Sequence, residues 1–241
     1  LSQILQGLKE KNIKIPISSE WLEGVREARK NAIKKDMRKM TTDRTPIFPL
    51  RLIHDMTKVA KPEDVIVVDG GDIAVLSTAI LDYVTPRKPR TYLRSVGFGH
   101  LGTGIPYAIG AKLAKPDSNV FLLVGDGSFL FNVQELDTAV HYDIPFVAIV
   151  ADNSSWGMIA NAERRAFKTR KPFYCDLQDR DYVSIAKGFG CYGEYVADPN
   201  KIIPAINRAI DSKKPAVIQV PIRFETPDNA KLLASFKSMD F

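Results

Sequence analysis

Gly125-Asp126-Gly127 closes one apolar run and Asp152-Asn153 closes the next, and this pairing leaves few folds open. The runs, Val120–Val124 and Pro145–Ala151, lack polar alternation, as strands buried on both faces do. Between them Asn132–Tyr142 reads as a helix. A strand, helix and strand in this order form a right-handed crossover, so the strands run parallel and their carboxyl ends share one edge. Asp126 and Asn153, 27 residues apart, are thereby expected to face one site. A carboxylate and an amide oxygen are hard donors suited to Mg²⁺, which prefers octahedral oxygen coordination and shares itself with substrate phosphates. The flanking Gly125 and Gly127 let a bulky anion approach the backbone.

The rest of the chain repeats the alternation. Helices are expected at Leu50–Val59, Ile73–Tyr83, Ile105–Leu113, Tyr182–Lys187 and Lys201–Asp211, and further strands at Val65–Val68, Thr91–Leu93, Gly193–Val196 and Ala216–Val220. This order predicts an α/β fold, a doubly wound, mostly parallel sheet with helices on both faces, whose ligand lies outside the carboxyl ends of the strands. Residues 1–44, with helices at Leu1–Lys11 and Ser19–Met40, read as the tail of a preceding domain and a linker. Residues 45–225 then form the main domain and 226–241 a carboxyl-terminal tail. The simplest account makes the chain the carboxyl-terminal part of a longer polypeptide, or one subunit of a split enzyme.

Composition excludes several classes. No stretch approaches the roughly 20 apolar residues of a membrane span and no secretory signal opens the sequence, so a soluble, cytoplasmic protein is expected. Cys175 and Cys191 are too few for a disulfide framework or a zinc site. The net charge is +6, but residues 1–44 hold eleven Lys or Arg against six Asp or Glu, interleaved as on a solvated helix face. Nucleic acid is therefore not an expected partner.

Two further loops follow strands on the ligand edge. Asp69-Gly70-Gly71-Asp72 opens a helix, whose unpaired N–H groups and partial positive charge suit an anion. Gly97-Phe98-Gly99-His100-Leu101-Gly102-Thr103-Gly104 is too glycine-rich for a regular element, so something is expected to press close to its backbone. A Rossmann dehydrogenase would need GxGxxG after the first strand, and Asp69-Gly70-Gly71-Asp72-Ile73-Ala74 does not supply it.

The GDG, the Asn 27 residues on and the helix opening at Trp156-Gly157-Met158 resemble the thiamine diphosphate signature of the acetolactate synthase and pyruvate decarboxylase superfamily. The resemblance covers roughly residues 46–225 and is that of the carboxyl-terminal, diphosphate-binding domain. Asn153-Ser154-Ser155-Trp156-Gly157 and Ser238-Met239-Asp240-Phe241 are similar to the acetolactate synthase and benzaldehyde lyase-like branch. The resemblance implies that Asp126, Asn153 and the backbone carbonyl of Ser155 hold Mg²⁺, and that Gly71, Asp72 and Ile73 touch the diphosphate. It further implies that Gly125, Gly127, Ser128, Gly157 and Met158 line the anion and its channel. Gly99 and Leu101 would meet the aminopyrimidine beside His100, with Leu101 as the wedge that bends the cofactor.

The implied activity is decarboxylation of a small 2-oxo acid and carboligation with an aldehyde or second oxo acid, acetolactate synthase-like. Thiamine diphosphate supplies the carbanion chemistry. A glutamate from a separate pyrimidine-binding domain, on the same or another chain, is also implied, and none is found here; a homodimer or tetramer follows from the same resemblance. Three departures stand out: Asp72 where relatives carry neutral residues, Asp152 where Asn is common, and Ala162 where acetolactate synthases carry Trp. The last of these leaves benzoin-type or 2-hydroxyacyl-CoA lyase chemistry open beside acetolactate synthase chemistry. A non-catalytic cofactor-binding subunit or remnant is the reading of another class, and the intact Asp126 and Asn153 argue against it.

Overall fold

The computed structural model describes residues 2–12, 18–84, 87–95, 97–169 and 171–225, without side chains at 79 and 82–84. The expected tail 226–241, with Ser238–Phe241, lies outside them. The chain divides into two units, Leu1–Asp36 and Met37–Phe241. In the first, α1 (Ser2–Glu10) buries no residue. Helix α2 spans Ser19–Thr41, and Met40 near its end belongs to the core of the second unit.

The second unit runs α3 (Pro49–Val59), β1 (Val65–Asp69), α4 (Asp72–Val84), β2 (Tyr92–Arg94), α5 (Gly104–Ala114), β3 (Val120–Gly125), α6 (Asp126–Phe131), α7 (Glu135–His141), β4 (Val147–Asp152), α8 (Gly157–Ala166), α9 (Tyr182–Gly188), β5 (Tyr192–Tyr195), α10 (Ile202–Asp211) and β6 (Ala216–Pro221). Among the described residues these strands form one six-stranded sheet in the order β2-β1-β3-β4-β6-β5, with every pairing parallel. No helix among them is long and apolar enough to cross a membrane.

Alternate residues of the central strands feed two cores, as the pleat requires. Ile66, Val68, Phe121, Leu123, Ile149 and Ile218 pack with α3, α4 and α10 on one face. Val65, Val67, Leu122, Val124, Ala148 and Val217 pack with α5, α6, α7 and α9 on the other. Burial on both faces explains why these strands read as unbroken apolar runs, while the edge strands β2 and β5 are only half-buried.

This order positions the site. From β1 the chain steps outward to β2, then returns across β1 to β3, so the direction of winding reverses between β1 and β3. Such a switch point opens a crevice at the carboxyl ends of the two strands. A Cβ on Gly70 would lie 3.2 Å from the Gly125 backbone nitrogen, which shows how closely the two strand ends approach.

One expectation needs correction. The segment after β3 is not a loop followed by a helix over Asn132–Tyr142. It is a short helix from Asp126 to Phe131, a break at Asn132 with φ −134° and ψ 38°, and a second helix from Glu135. Gly127 disfavours helix by propensity, and burial of Asp126, Gly127, Ser128 and Phe129 overrides it.

Candidate functional site

A cleft of about 320 Å³ opens at the β1/β3 switch point. Gly71, Asp72, Ile73, Gly99, His100, Leu101, Gly125, Asp126, Gly127, Ser128, Asn153, Ser155, Gly157 and Met158 all line it, so the structure brings the residues expected at the cofactor and the metal to one place. Asp69, Arg94, Arg223 and Glu225 line it as well and were not singled out.

At its floor, Asp126 is 4% exposed. One carboxylate oxygen accepts the Gly127 N–H at 2.8 Å and the other accepts the Ser155 N–H at 3.1 Å. The Ser155 N–H is shared with Asn153 Oδ1 at 3.2 Å, so carboxylate and amide oxygens converge on one hydrogen. Ser154 reaches this turn with φ 52°, and the Ser155 carbonyl accepts the Gly157 N–H at 2.8 Å while keeping a second lone pair. Burial pushes the Asp126 carboxyl up to about 7, and the nearby Asp152 carboxyl adds to the effect. No ion pair reaches Asp126 among the described residues. A buried carboxylate without a counter-charge, beside an amide oxygen and a backbone carbonyl, suits a hard cation whose remaining ligands come from a bound anion. No group of three or more His, Cys, Asp or Glu that could hold a metal exists among the described residues, so oxygens of a bound anion or of water would have to complete the shell.

Helices α4 and α8 both begin at the cleft, close together: a Cβ on Gly71 would lie 2.9 Å from Met158 Cβ. Their free N–H groups favour an anion. Asp72 could oppose one, but its Oδ2 accepts Asn161 Nδ2–H at 2.8 Å and is thereby turned toward α8. Burial raises the Asp72 carboxyl, and the Asn161 amide and Arg165 oppose that shift. Its backbone stays at the helix start.

The glycine loop divides into two parts. Gly102, at φ +83°, lies against Phe131, and Gly104 lies where a Cβ would be 2.7 Å from Leu122 Cδ1. The elements pressing on these glycines belong to the protein itself. Asn132 Nδ2–H donates to the Gly102 carbonyl at 2.8 Å, tying the loop to the end of α6. Asp69, 3% exposed, accepts the Gly104 N–H at 2.9 Å through Oδ2, while its Oδ1 has no hydrogen-bond partner among the described residues. Burial raises the Asp69 carboxyl and the loop N–H groups hold it back. A Cβ on Gly97 or Gly99 would meet nothing within 4 Å among the described residues, and Phe98, His100 and Leu101 are exposed. His100 Nδ1 lies 3.3 Å from Ser95 Oγ, and its ring packs edge-on against Phe98.

The contrast predicts unequal tolerance. Gly102→Ala should destabilise the fold by about 1–3 kcal/mol through overpacking, with the left-handed backbone adding about 1–2 kcal/mol. Gly97→Ala should be near neutral. Urea unfolding of both variants checks this, and equal midpoints would contradict the packing described.

Comparison with known proteins places this cleft. Residues 58–220 match the family model described as thiamine pyrophosphate enzyme, C-terminal TPP binding domain. A probable acetolactate synthase large subunit of Methanococcus aeolicus is 32% identical over 222 residues, which is 89% of this chain and 35% of the relative. A 2-hydroxyacyl-CoA lyase 2 of Bos taurus is 32% identical over 188 residues, 76% of this chain and 28% of the relative. Among solved structures, the thiamine diphosphate-dependent 4-hydroxybenzoylformate decarboxylase of Rhodococcus jostii RHA1 aligns with TM-score 0.69 and 26% identity, over 77% of this chain and 34% of that one. The chain thus spans about a third of the length of the relatives it matches. With the matched region covering most of the sheet and both loops at its switch point, the chain belongs to the family of C-terminal thiamine diphosphate-binding domains.

Proposed function

We propose that the chain is the diphosphate- and Mg²⁺-holding part of an acetolactate synthase-like enzyme that decarboxylates a 2-oxo acid and ligates the product to a second carbonyl compound. The observation that carries this reading is the convergence of Asp126 Oδ2 and Asn153 Oδ1 on the Ser155 N–H. When bound, thiamine diphosphate supplies the electron sink for the carbanion chemistry. The chain's own residues bind and orient. Asp126, Asn153 and the Ser155 carbonyl hold the cation, and the N–H groups around Gly71, Asp72 and Ile73 receive the diphosphate. Gly125, Gly127, Ser128, Gly157 and Met158 shape the anion channel. Gly99 and Leu101 meet the aminopyrimidine beside His100, and Leu101 is the apolar wedge. Calorimetric titration of thiamine diphosphate with Mg²⁺ or with chelator tests this, and binding indifferent to the metal would refute it.

The bovine relative supports a second reading, cleavage of a 2-hydroxyacyl-CoA, because its identity of 32% equals that of the acetolactate synthase relative. Product analysis of the complete enzyme, supplied with pyruvate in one arm and a 2-hydroxyacyl-CoA in the other, separates the two. Partners follow from the same reading: a pyrimidine-binding domain, on the same or another chain, and a dimeric or tetrameric assembly.

Leu101 is 36% exposed and lines the cleft, whereas Phe98, the other exposed apolar side chain of the loop, is not part of that lining. Leu101→Ala in the complete enzyme should lower kcat about 100-fold while changing cofactor affinity far less, because misplacement of reacting groups by about 1 Å has that effect. Wild-type kcat in this variant would put the wedge elsewhere.

A further inference from the structure

Asp152 ends β4 immediately before Asn153 and is 8% exposed. Its Oδ1 accepts the Ser154 N–H at 3.0 Å and lies 3.4 Å from Ser154 Oγ. Its Oδ2 accepts Gln219 Nε2–H at 2.8 Å. Gln219, on the adjacent strand β6, is itself fixed: Nε2 also donates to the Arg180 carbonyl at 2.8 Å, and Oε1 accepts the Tyr182 N–H at 3.0 Å. Neutral donors therefore hold the Asp152 carboxylate in one orientation. Asp126 accepts the next N–H along the chain, that of Ser155. Two buried carboxylates thus sit on consecutive amides of one turn, whose donors directly follow Asn153 in sequence. A third, Asp179, accepts Ser154 Oγ–H at 3.0 Å from the exposed side. The ion pairs among the described residues all lie elsewhere.

We infer that Asp152 is a positioning residue of the cation site: it sets the turn carrying Asn153 and Ser155, and its negative charge lets the chain take up a divalent cation without the diphosphate. The inference rests on the reading of the cleft given above. A site with one carboxylate needs the ligand's phosphates to neutralise a divalent ion. Here the second carboxylate supplies that charge from behind the donors. Residues that orient metal ligands from outside the coordination shell typically change affinity by about 10–100-fold when replaced.

The test is Mn²⁺ binding to the full chain without cofactor, read by the loss of the free-ion electron paramagnetic resonance signal. Asp152→Asn removes the charge and retains an acceptor oxygen, and should weaken Mn²⁺ about 10–100-fold. Gln219→Ala removes the Oδ2 hydrogen bond but leaves the charge, and should keep Mn²⁺ affinity within about threefold even where it lowers the unfolding midpoint, because an exchanged neutral donor leaves the coulombic attraction in place. Wild-type affinity in Asp152→Asn, or equal losses in the two variants, would overturn the inference. Failure of the unmutated chain to bind Mn²⁺ alone would also overturn it. Repeating the titration with thiamine diphosphate then separates the two ideas: uptake only with cofactor leaves the reading of the cleft standing, and no uptake at all removes that reading too.

Discussion

Asp126→Ala and Asn153→Ala are each expected to abolish Mg²⁺-dependent binding of thiamine diphosphate while leaving the sheet folded. Mg²⁺ tolerates little departure from octahedral oxygen geometry, so losing either donor cannot be made good by a neighbour at a longer distance. Asp126 should matter more, since it supplies charge as well as an oxygen. Its removal leaves the Gly127 and Ser155 N–H groups without that acceptor, at about 1–3 kcal/mol for each one that stays unsatisfied. Against this, the empty site loses a carboxyl that burial already drives toward its protonated form at about 7. The two effects oppose each other, so far-ultraviolet circular dichroism should remain native in Asp126→Ala. Calorimetry showing unchanged cofactor affinity in either variant would exclude these residues from the site.

The parts of the fold legible in the sequence were those whose physics is local. Val120–Val124 and Pro145–Ala151 announced buried parallel strands, and β3 and β4 fall within two residues of those limits, because burial on both faces leaves no room for polar alternation. The Asp126 and Asn153 pairing was legible because a crossover brings strand ends together wherever the intervening chain goes. Helix α6 was not. Gly-Asp-Gly-Ser looks like a turn, and only packing that sequence cannot display, Gly127 under the Trp156 ring and Phe129 in the core, makes it helical. Asp69 escaped notice for a similar reason: its bond to Gly104 spans 35 residues, and Asp-Gly is an ordinary turn pair. Asn161 is the clearest case. Nothing in its spacing shows that it turns the Asp72 carboxylate toward α8, yet that contact reconciles an acidic residue with an anion-binding helix start.

The isolated chain should show no decarboxylation of pyruvate even with saturating thiamine diphosphate and Mg²⁺. The proposed chemistry requires a glutamate to protonate the aminopyrimidine, and the carboxylates around the cleft are otherwise engaged. Asp69 bonds the glycine loop, Asp72 bonds Asn161, and Asp126 bonds Gly127 and Ser155. Glu225 is the only glutamate lining the cleft among the described residues, and it is paired with Lys39 at 2.8 Å and Arg223 at 3.4 Å. The loop that would meet the aminopyrimidine also leaves Phe98 91% and Leu101 36% exposed, apolar side chains that another domain would cover. Addition of a pyrimidine-binding domain carrying that glutamate, on the same polypeptide or a second one, should restore turnover together with association detectable by sedimentation. General acid–base groups typically contribute about 10²–10⁴-fold, so the restored rate should exceed the background of the chain alone by at least that margin. Turnover of pyruvate by the purified monomer, free of host enzymes, would defeat both the missing-glutamate argument and the shared site.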